Sequence, residues 1–296
     1  MKEYLKWIIL IVLTLTWGSS FFLIKKGLVA FSPYQVGALR IVMAAISLLI
    51  IGGKQLPKIP THSYKWVFLA GLLGSFFPLF LFPLAEEEVD SGIAGVLNAL
   101  VPLFTLILGV IFFKNKSSKR QFLGVFLGLI GTILLIFLPT LFNDQASFLG
   151  KEVSIPHALL IVLATFMYAI NALVIKHKLS HINPITLTTG LFSSIAILGL
   201  IVLIYTGFFS TFDFSPKQVT SLGYISILAI AGTAIAMLLF NKLMQHSSAV
   251  FVSSVTYLMP IVALLWGILD GEQITLFHIG CFGIIIIGVL MINRSK

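Results

Sequence analysis

The chain has 296 residues, of which 58% are hydrophobic and only 10% charged, and its mean hydropathy is +1.08. That composition excludes both a soluble globular domain and a disordered chain and predicts an all-α integral membrane protein. A formal net charge of +9 would point to a nucleic-acid partner in a soluble protein, but here the basic residues gather on one membrane face; the partners expected are the lipid bilayer and a small-molecule solute, with no nucleic acid.

A spanning helix takes roughly 20 apolar residues, and ten candidates follow one another: 7–28, 34–51, 66–85, 92–113, 119–138, 157–175, 184–206, 219–240, 249–269 and 276–292. The first follows Lys2 and Lys6 like a signal peptide, yet its apolar run continues to Ile24 with no small-x-small cleavage site, so it reads as an uncleaved span. With the N-terminus inside, the inner segments hold 14 of the 19 Lys and Arg and one of the ten Asp and Glu, the outer segments hold four and nine, and Arg40 lies within a span. Both termini are expected to be cytoplasmic.

The first span carries Thr14, Thr16, Trp17, Gly18, Ser19 and Ser20. An offset of 151 lays Thr14, Trp17, Ser20, Lys25 and Pro33 onto Thr165, Tyr168, Asn171, Lys176 and Pro184. The second span bears Arg40, about six residues or ~9 Å of helix rise from its outer end; a guanidinium at that depth faces a cavity or partner, or snorkels toward the acidic outer loop. The third span holds Pro78 and Pro83 and runs into Glu86, Glu87, Glu88 and Asp90, read as a solvated loop, with a cation-attracting mouth or a counter-charge for Arg40 as the alternatives.

The fourth span, SGIAGVLNALVPLFTLILGVIFF from Ser91 to Phe113, recurs. At an offset of 158, Gly95, Asn98, Pro102, Thr105 and Gly109 fall on Ser253, Thr256, Pro260, Ala263 and Gly267. Steps of three and four put each set on one helix face, small or polar, while the rest is Leu, Ile, Val and Phe. A proline in mid-helix frees a carbonyl that hydrocarbon cannot satisfy, and interrupted segments at matching places in two halves point to a transporter's central site. Gly124 and Gly128 of the fifth span form a GxxxG of the kind used in close helix packing. His157 and His278 are expected at interfaces, and Cys281 as a small core residue.

The two offsets describe two five-span copies, 1–138 and 157–296, joined by an outer linker, 139–156. Five is odd, so the second copy enters the membrane from the other side, and the expectation is ten transmembrane helices as two inverted five-helix repeats around a mid-depth cavity. Its expected lining is Trp17, Ser20, Arg40, Asn98, Tyr168, Asn171, Thr256 and Tyr257, with Pro102 and Pro260 as helix breaks or gates. The competing reading makes the stripes packing faces. No HExxH or CxxC pattern occurs and no span has an Asp or Glu well inside it, so neither a metal nor another cofactor is expected, an intramembrane enzyme is disfavoured, and a proton, the candidate coupling ion, has no evident carboxylate relay.

WGSSFFLIKKGL with PYQVGALR in the first copy, and SGIAGVLNALVPLFTLILGVIFF with its counterpart in the second, are similar to the EamA-type transporters of the drug/metabolite transporter superfamily over essentially the whole chain. The resemblance implies a plasma-membrane secondary transporter working by alternating access, with exporters of amino acids and other small metabolites among its kin. A passive facilitator or channel, or a non-transporting sensor or assembly protein, is the alternative. Family copies often carry a glutamate after the proline-bearing span, as Glu272 does; the first copy has Lys114, Asn115 and Lys116 there.

Overall fold

A computed structural model describes residues 1–89, 91–142, 154–269 and 276–294. The helices are α1 (Glu3–Gly18), α2 (Ser20–Leu28), α3 (Pro33–Gly52), α4 (Tyr64–Gly71), α5 (Phe77–Ala85), α6 (Ser91–Asn98), α7 (Val101–Phe113), α8 (Lys119–Phe142), α9 (Ile155–Val174), α10 (Pro184–Tyr205), the single turn α11 (Phe208–Thr211), α12 (Pro216–Ala229), α13 (Ala236–His246), α14 (Ala249–Ser253), α15 (Val255–Leu269) and α16 (Leu276–Asn293). Among the described residues seven helices are long and apolar enough to cross a membrane; two shorter apolar stretches, Ala249–Val262 and Ile279–Asn293, stand where the ninth and tenth spans are expected, and α8 runs over 24 residues. Of the expected linker, 143–153 lie outside the described residues, as does Glu272.

The helices start where the chain supplies a cap and a ring-locked φ. Ser32 accepts from the Gln35 amide while the Gln35 side chain accepts from the Ser32 amide, a capping box ahead of Pro33. Asn183 ahead of Pro184 and Ser215 ahead of Pro216 cap in the same way. The outward faces present Ile50, Ile111, Phe112, Ile197 and Ile204, a surface suited to hydrocarbon.

Three π-type turns occur among the described residues; Ile175–Leu179 extends α9, and the other two form a matching pair of wide turns, in which Leu72–Phe76 joins α4 to α5 and Ile230–Ile235 joins α12 to α13. Their starts differ by the same 158 residues that relate the proline-bearing spans. Contacts recur under the two offsets as well. Gln35 donates to the Thr206 carbonyl at 3.3 Å, and its counterpart Thr186 donates to Gln55, the counterpart of Thr206, at 2.8 Å. Trp17 packs on Phe240 with ring centroids 5.5 Å apart, and Tyr168 packs on Phe82 at 6.0 Å.

The direction of these equivalent elements is fixed by the same contacts. The start of α3 meets the end of α10 and the turn after α3 meets the start of α10, so the two run antiparallel. At the other crossing Gly124 lies against Ile292 and Gly131 against Ile285, so α8 and α16 run antiparallel too. Gly124 and Gly128 are packing residues: they let the backbone of α8 touch Gly288 of α16.

That crossing yields a stability prediction. A Cβ at Gly288 would sit 2.7 Å from the Gly128 nitrogen and 2.8 Å from the Gly124 oxygen, backbone atoms that move only if the helices part. Gly288→Ala should cost about 1–3 kcal/mol and lower the thermal midpoint in detergent, whereas Gly283→Ala on the same helix, where nothing lies within 4 Å, should leave it unchanged or raise it by up to about 1 kcal/mol.

Candidate functional site

A cavity of about 120 Å³ lies between the two copies. Its wall combines α1 and α2, α3, both wide turns, α6, α9 and the α14–α15 region, and it brings together seven of the eight side chains expected there: Trp17, Ser20, Arg40, Asn98, Tyr168, Asn171 and Thr256. Phe82, Phe240, Met237 and Met259 supply much of the apolar wall.

Tyr257 is the exception. It is fully buried, donates its hydroxyl to the Val125 carbonyl at 2.8 Å, and lays its ring on Gly128. One residue along a helix turns the side chain by about 100°, so Thr256 faces the cavity and Tyr257 faces α8.

The prolines also differ from expectation. Pro102 is the second residue of α7, and the irregularity at Ala99 and Leu100 precedes it, so it begins a helix where its missing N–H is no loss. Of these two, Pro260 is the one inside a helix, where it deprives the Thr256 carbonyl of its donor. It touches the other copy's stripe, 3.5 Å from where a Cβ on Gly95 would be. Ala263 and Gly267 of the second stripe have side-chain positions outside the described residues.

Some polar groups of the cavity are paired. The Trp17 indole donates to the Gly232 carbonyl at 2.9 Å, in the wide turn of the opposite copy, which shifts backbone groups out of the ordinary helical ladder. Ser20 and Thr256 donate to carbonyls of the helix just before their own, Thr16 at 3.1 Å and Ser253 at 3.0 Å. Others are not paired. Arg40, 6% exposed, donates from Nη2 to Thr233 at 3.3 Å, but its Nε has no partner. Asn98 reaches the Met259 sulfur at 3.5 Å with its amide nitrogen, and its Oδ1 is unpaired, as is Oδ1 of Asn171. One donor and two acceptors thus line one buried space without protein partners, a costly arrangement unless water or a solute fills it.

Sequence reasoning missed Gly74, Ser75, Gly232 and Thr233, which line the cavity from the wide turns. The signal was present: Gly-Ser and Gly-Thr stand 158 positions apart within otherwise apolar helices. Gly74 is held against the Asn171 amide and Gly232 lies beside Ser20, the same contact in each copy. Glu86 corrects another expectation. It is 7% exposed and neither carboxylate oxygen has a partner, because the Val89 amide bonds back to Ala85 and curls the chain onto the buried Ala85, Ile161 and Ala164; Glu87 and Glu88 are exposed. Among the described residues no three His, Cys, Asp or Glu converge as for a metal.

Two copies of one helical unit around a part-polar cavity are the architecture of a multi-pass membrane transporter of small solutes. The chain belongs to the EamA-like transporter family, whose sequence profile matches residues 5–137 and again 155–294, within the drug/metabolite transporter superfamily. It is 29% identical over 307 residues to an uncharacterized transporter of Archaeoglobus fulgidus, covering 98% of this chain and 99% of that one. It is 28% identical to the uncharacterized inner membrane transporter YedA of Escherichia coli (97% and 90% covered) and 27% identical to Protein PecM of Dickeya dadantii (93% and 86%). A solved crystal structure shares the fold, with a TM-score of 0.73 at 15% identity over 98% of this chain and 96% of the other. The protein is accordingly a plasma-membrane, multi-pass transporter.

Thiol labelling tests the geometry. In a Cys281→Ser background, Ser20→Cys, Asn98→Cys and Thr256→Cys should react with a small water-soluble thiol reagent at least tenfold faster than Tyr257→Cys, read by mass shift; equal rates at Thr256 and Tyr257 would contradict the placement of that helix face.

Proposed function

We propose that the chain is a secondary transporter, not an enzyme, that exports small metabolites such as amino acids by alternating access, and that Trp17, Ser20, Arg40, Asn98, Tyr168, Asn171 and Thr256 bind the solute. The observation that carries this reading is the set of unpartnered atoms, Arg40 Nε, Asn98 Oδ1 and Asn171 Oδ1, around a single cavity. A free amino acid complements that set: a carboxylate for the guanidinium, an ammonium for the amide oxygens, and an apolar side chain for Phe82, Phe240 and Met237. Export is the direction the family resemblance implies.

The topology proposed with it has ten spans in two inverted repeats, 1–138 and 157–296, with the 139–156 linker outside and both termini in the cytoplasm. The antiparallel α3–α10 and α8–α16 crossings support the inversion. Asn293 donates to Glu3 at 2.9 Å and Lys6 bonds the other Glu3 oxygen at 2.8 Å, so the two ends of the described chain share one face, and the excess of Lys and Arg there supports a cytoplasmic side for it. Pro260 serves as a hinge in α15, and Pro102 marks the matching break.

The test is flux of a panel of labelled amino acids in proteoliposomes. Saturable flux that unlabelled solute on the far side accelerates is the expected result; flux without such acceleration would indicate a channel. Arg40→Lys keeps the charge but not the planar fork, and should reduce flux at least tenfold at equal abundance. Full flux in both Arg40→Lys and Arg40→Gln would remove Arg40 from the site.

A further inference from the structure

Glu86 is the one described carboxyl that is buried, and nothing in the solute site uses it. It follows directly on the span Thr61–Ala85, with both oxygens shielded and unpartnered. It lies one helical turn beyond Phe82, a cavity residue stacked on Tyr168, and its amide bonds to the Phe82 carbonyl at 2.9 Å. It interacts electrostatically with Arg40, which lines the cavity, and with Lys25. Repeat equivalence supplies a second observation. Lys25 and Glu86 correspond to Lys176 and Met244, and that second pair is bonded, the Lys176 ammonium donating to the Met244 carbonyl at 2.9 Å. At the other end of the molecule the side chain at the position equivalent to Met244 is a titratable carboxyl that forms no hydrogen bond.

We propose that Glu86 is a proton-binding site that couples solute movement to the proton gradient through Arg40. This rests on the transporter reading above and not on its export direction. When Glu86 is ionised, Lys25 and Arg40 act on it through their fields, with no hydrogen bond to either carboxylate oxygen, so part of the guanidinium's field is spent on the carboxylate and not on the cavity. When Glu86 takes a proton from the outer solution, the guanidinium is released to the solute. The carboxylate and the solute thereby compete for one cation, so proton and solute favour each other's binding, the reciprocity that linkage requires.

Several charged or titratable groups stand on the elements packed against α5. Lys25 and Arg40 act on Glu86 directly, and Tyr168 acts on Arg40. Lys26 lies over the Phe22 ring, Tyr34 is against Phe80, and His157 is bonded to Ser154; Glu87 and Glu88 on the same turn are exposed. Burial raises the Glu86 carboxyl to about 8, with Lys25 and then Arg40 pulling it down. The sign follows: the folded chain holds a proton that an unfolded carboxyl of ordinary value near ~4.3 has released, so stability present at low pH is lost as the pH rises through about 8.

The first test needs no solute. Infrared difference spectra of the protein in lipid nanodiscs, titrated from about pH 5 to about pH 9, should show a protonated-carboxyl band with a midpoint far above the ordinary carboxylate range. Glu86→Gln should remove it, and Arg40→Gln should raise its midpoint by roughly a pH unit. The second test uses proteoliposomes and whichever labelled amino acid the wild type carries. Glu86→Gln should still exchange that amino acid but no longer accumulate it against an imposed pH gradient, and Glu86→Asp, which keeps a carboxyl, should retain accumulation.

A midpoint near ~4.3, a midpoint indifferent to Arg40→Gln, or gradient-driven accumulation by Glu86→Gln equal to wild type would each overturn the proposal. Should no amino acid cross the wild-type membrane, the solute reading fails on its own, while the infrared titration still decides the proton site. If Glu86→Gln does not fold, the band shift in Glu86→Asp and in Arg40→Gln carries the same decision.

Discussion

A buried dipole with no partner costs roughly 2–7 kcal/mol in an apolar medium, and membrane helices escape that cost by closing every backbone bond within themselves. This structure departs from that rule at the wide turns Leu72–Phe76 and Ile230–Ile235, and the departure organises the centre of the molecule. A wide turn displaces backbone groups from the helical ladder; at Gly232 the carbonyl is taken by the Trp17 indole from the opposite copy, and at Gly74 the Asn171 amide presses against the backbone. Glycine is needed at Gly74, where a Cβ would collide with the Asn171 amide, while at Gly232 a Cβ would only crowd the end of the Leu228 side chain. Each copy therefore completes the other, and the cavity lies where the two completions meet.

The scaffold is repeated while the chemistry is not. Trp17 on Phe240 and Tyr168 on Phe82 are one contact made twice, as are the two ties between α3 and α10. The polar groups break the correspondence: Arg40 faces Leu191, Asn98 faces Thr256, and Ser20 faces Asn171 at equivalent positions. A solute with a distinct head and tail needs such a difference, because a cavity with true two-fold chemistry would present the same groups to both of its ends. Packing requires the symmetry and recognition requires its loss, and both are met by changing side chains on an unchanged backbone.

The repeats and most of the cavity were legible in the sequence because helix periodicity projects directly onto helix faces: Asn98 and Thr256 on their stripes, and Trp17 and Tyr168 at matching mid-span places, fell where the offsets put them. Tyr257 was not legible, since an adjacent position points about 100° away and only the packing partner, Gly128, decides its face. Pro102 misled because a proline looks alike in a sequence whether it kinks a helix or starts one; the turn before it, at Ala99 and Leu100, is what makes the difference. Glu86 misled more deeply. Hydropathy assigns a run of three glutamates to water, and it cannot see that the Val89-to-Ala85 bond folds the first of them inward while leaving Glu87 and Glu88 outside.

The two ends of the molecule are tied differently, and the difference bears on alternating access. At the end where Glu3 meets Asn293, Lys176 bonds the Met244 carbonyl, Gln245 bonds the Ile182 carbonyl at 2.6 Å, and Asn241 bonds Thr188 at 2.8 Å. At the equivalent positions of the other end stand Lys25 with Glu86, Glu87 with Phe31, and Pro83 with Gly37; Pro83 has no donor, Glu87 is exposed, and Glu86 is unpartnered. The first end is thus tied by hydrogen bonds to acceptors that do not titrate, while the second carries a buried carboxyl that forms none. In an alternating cycle the ends cannot both be open, so a change in the stability of one closure shifts the population of both states. On the alternating-access and proton-coupling readings proposed above, the single buried carboxyl among the described residues makes one closure responsive to protons and, through it, the whole cycle, while at the other closure the titratable Lys176 is already bonded to the Met244 carbonyl.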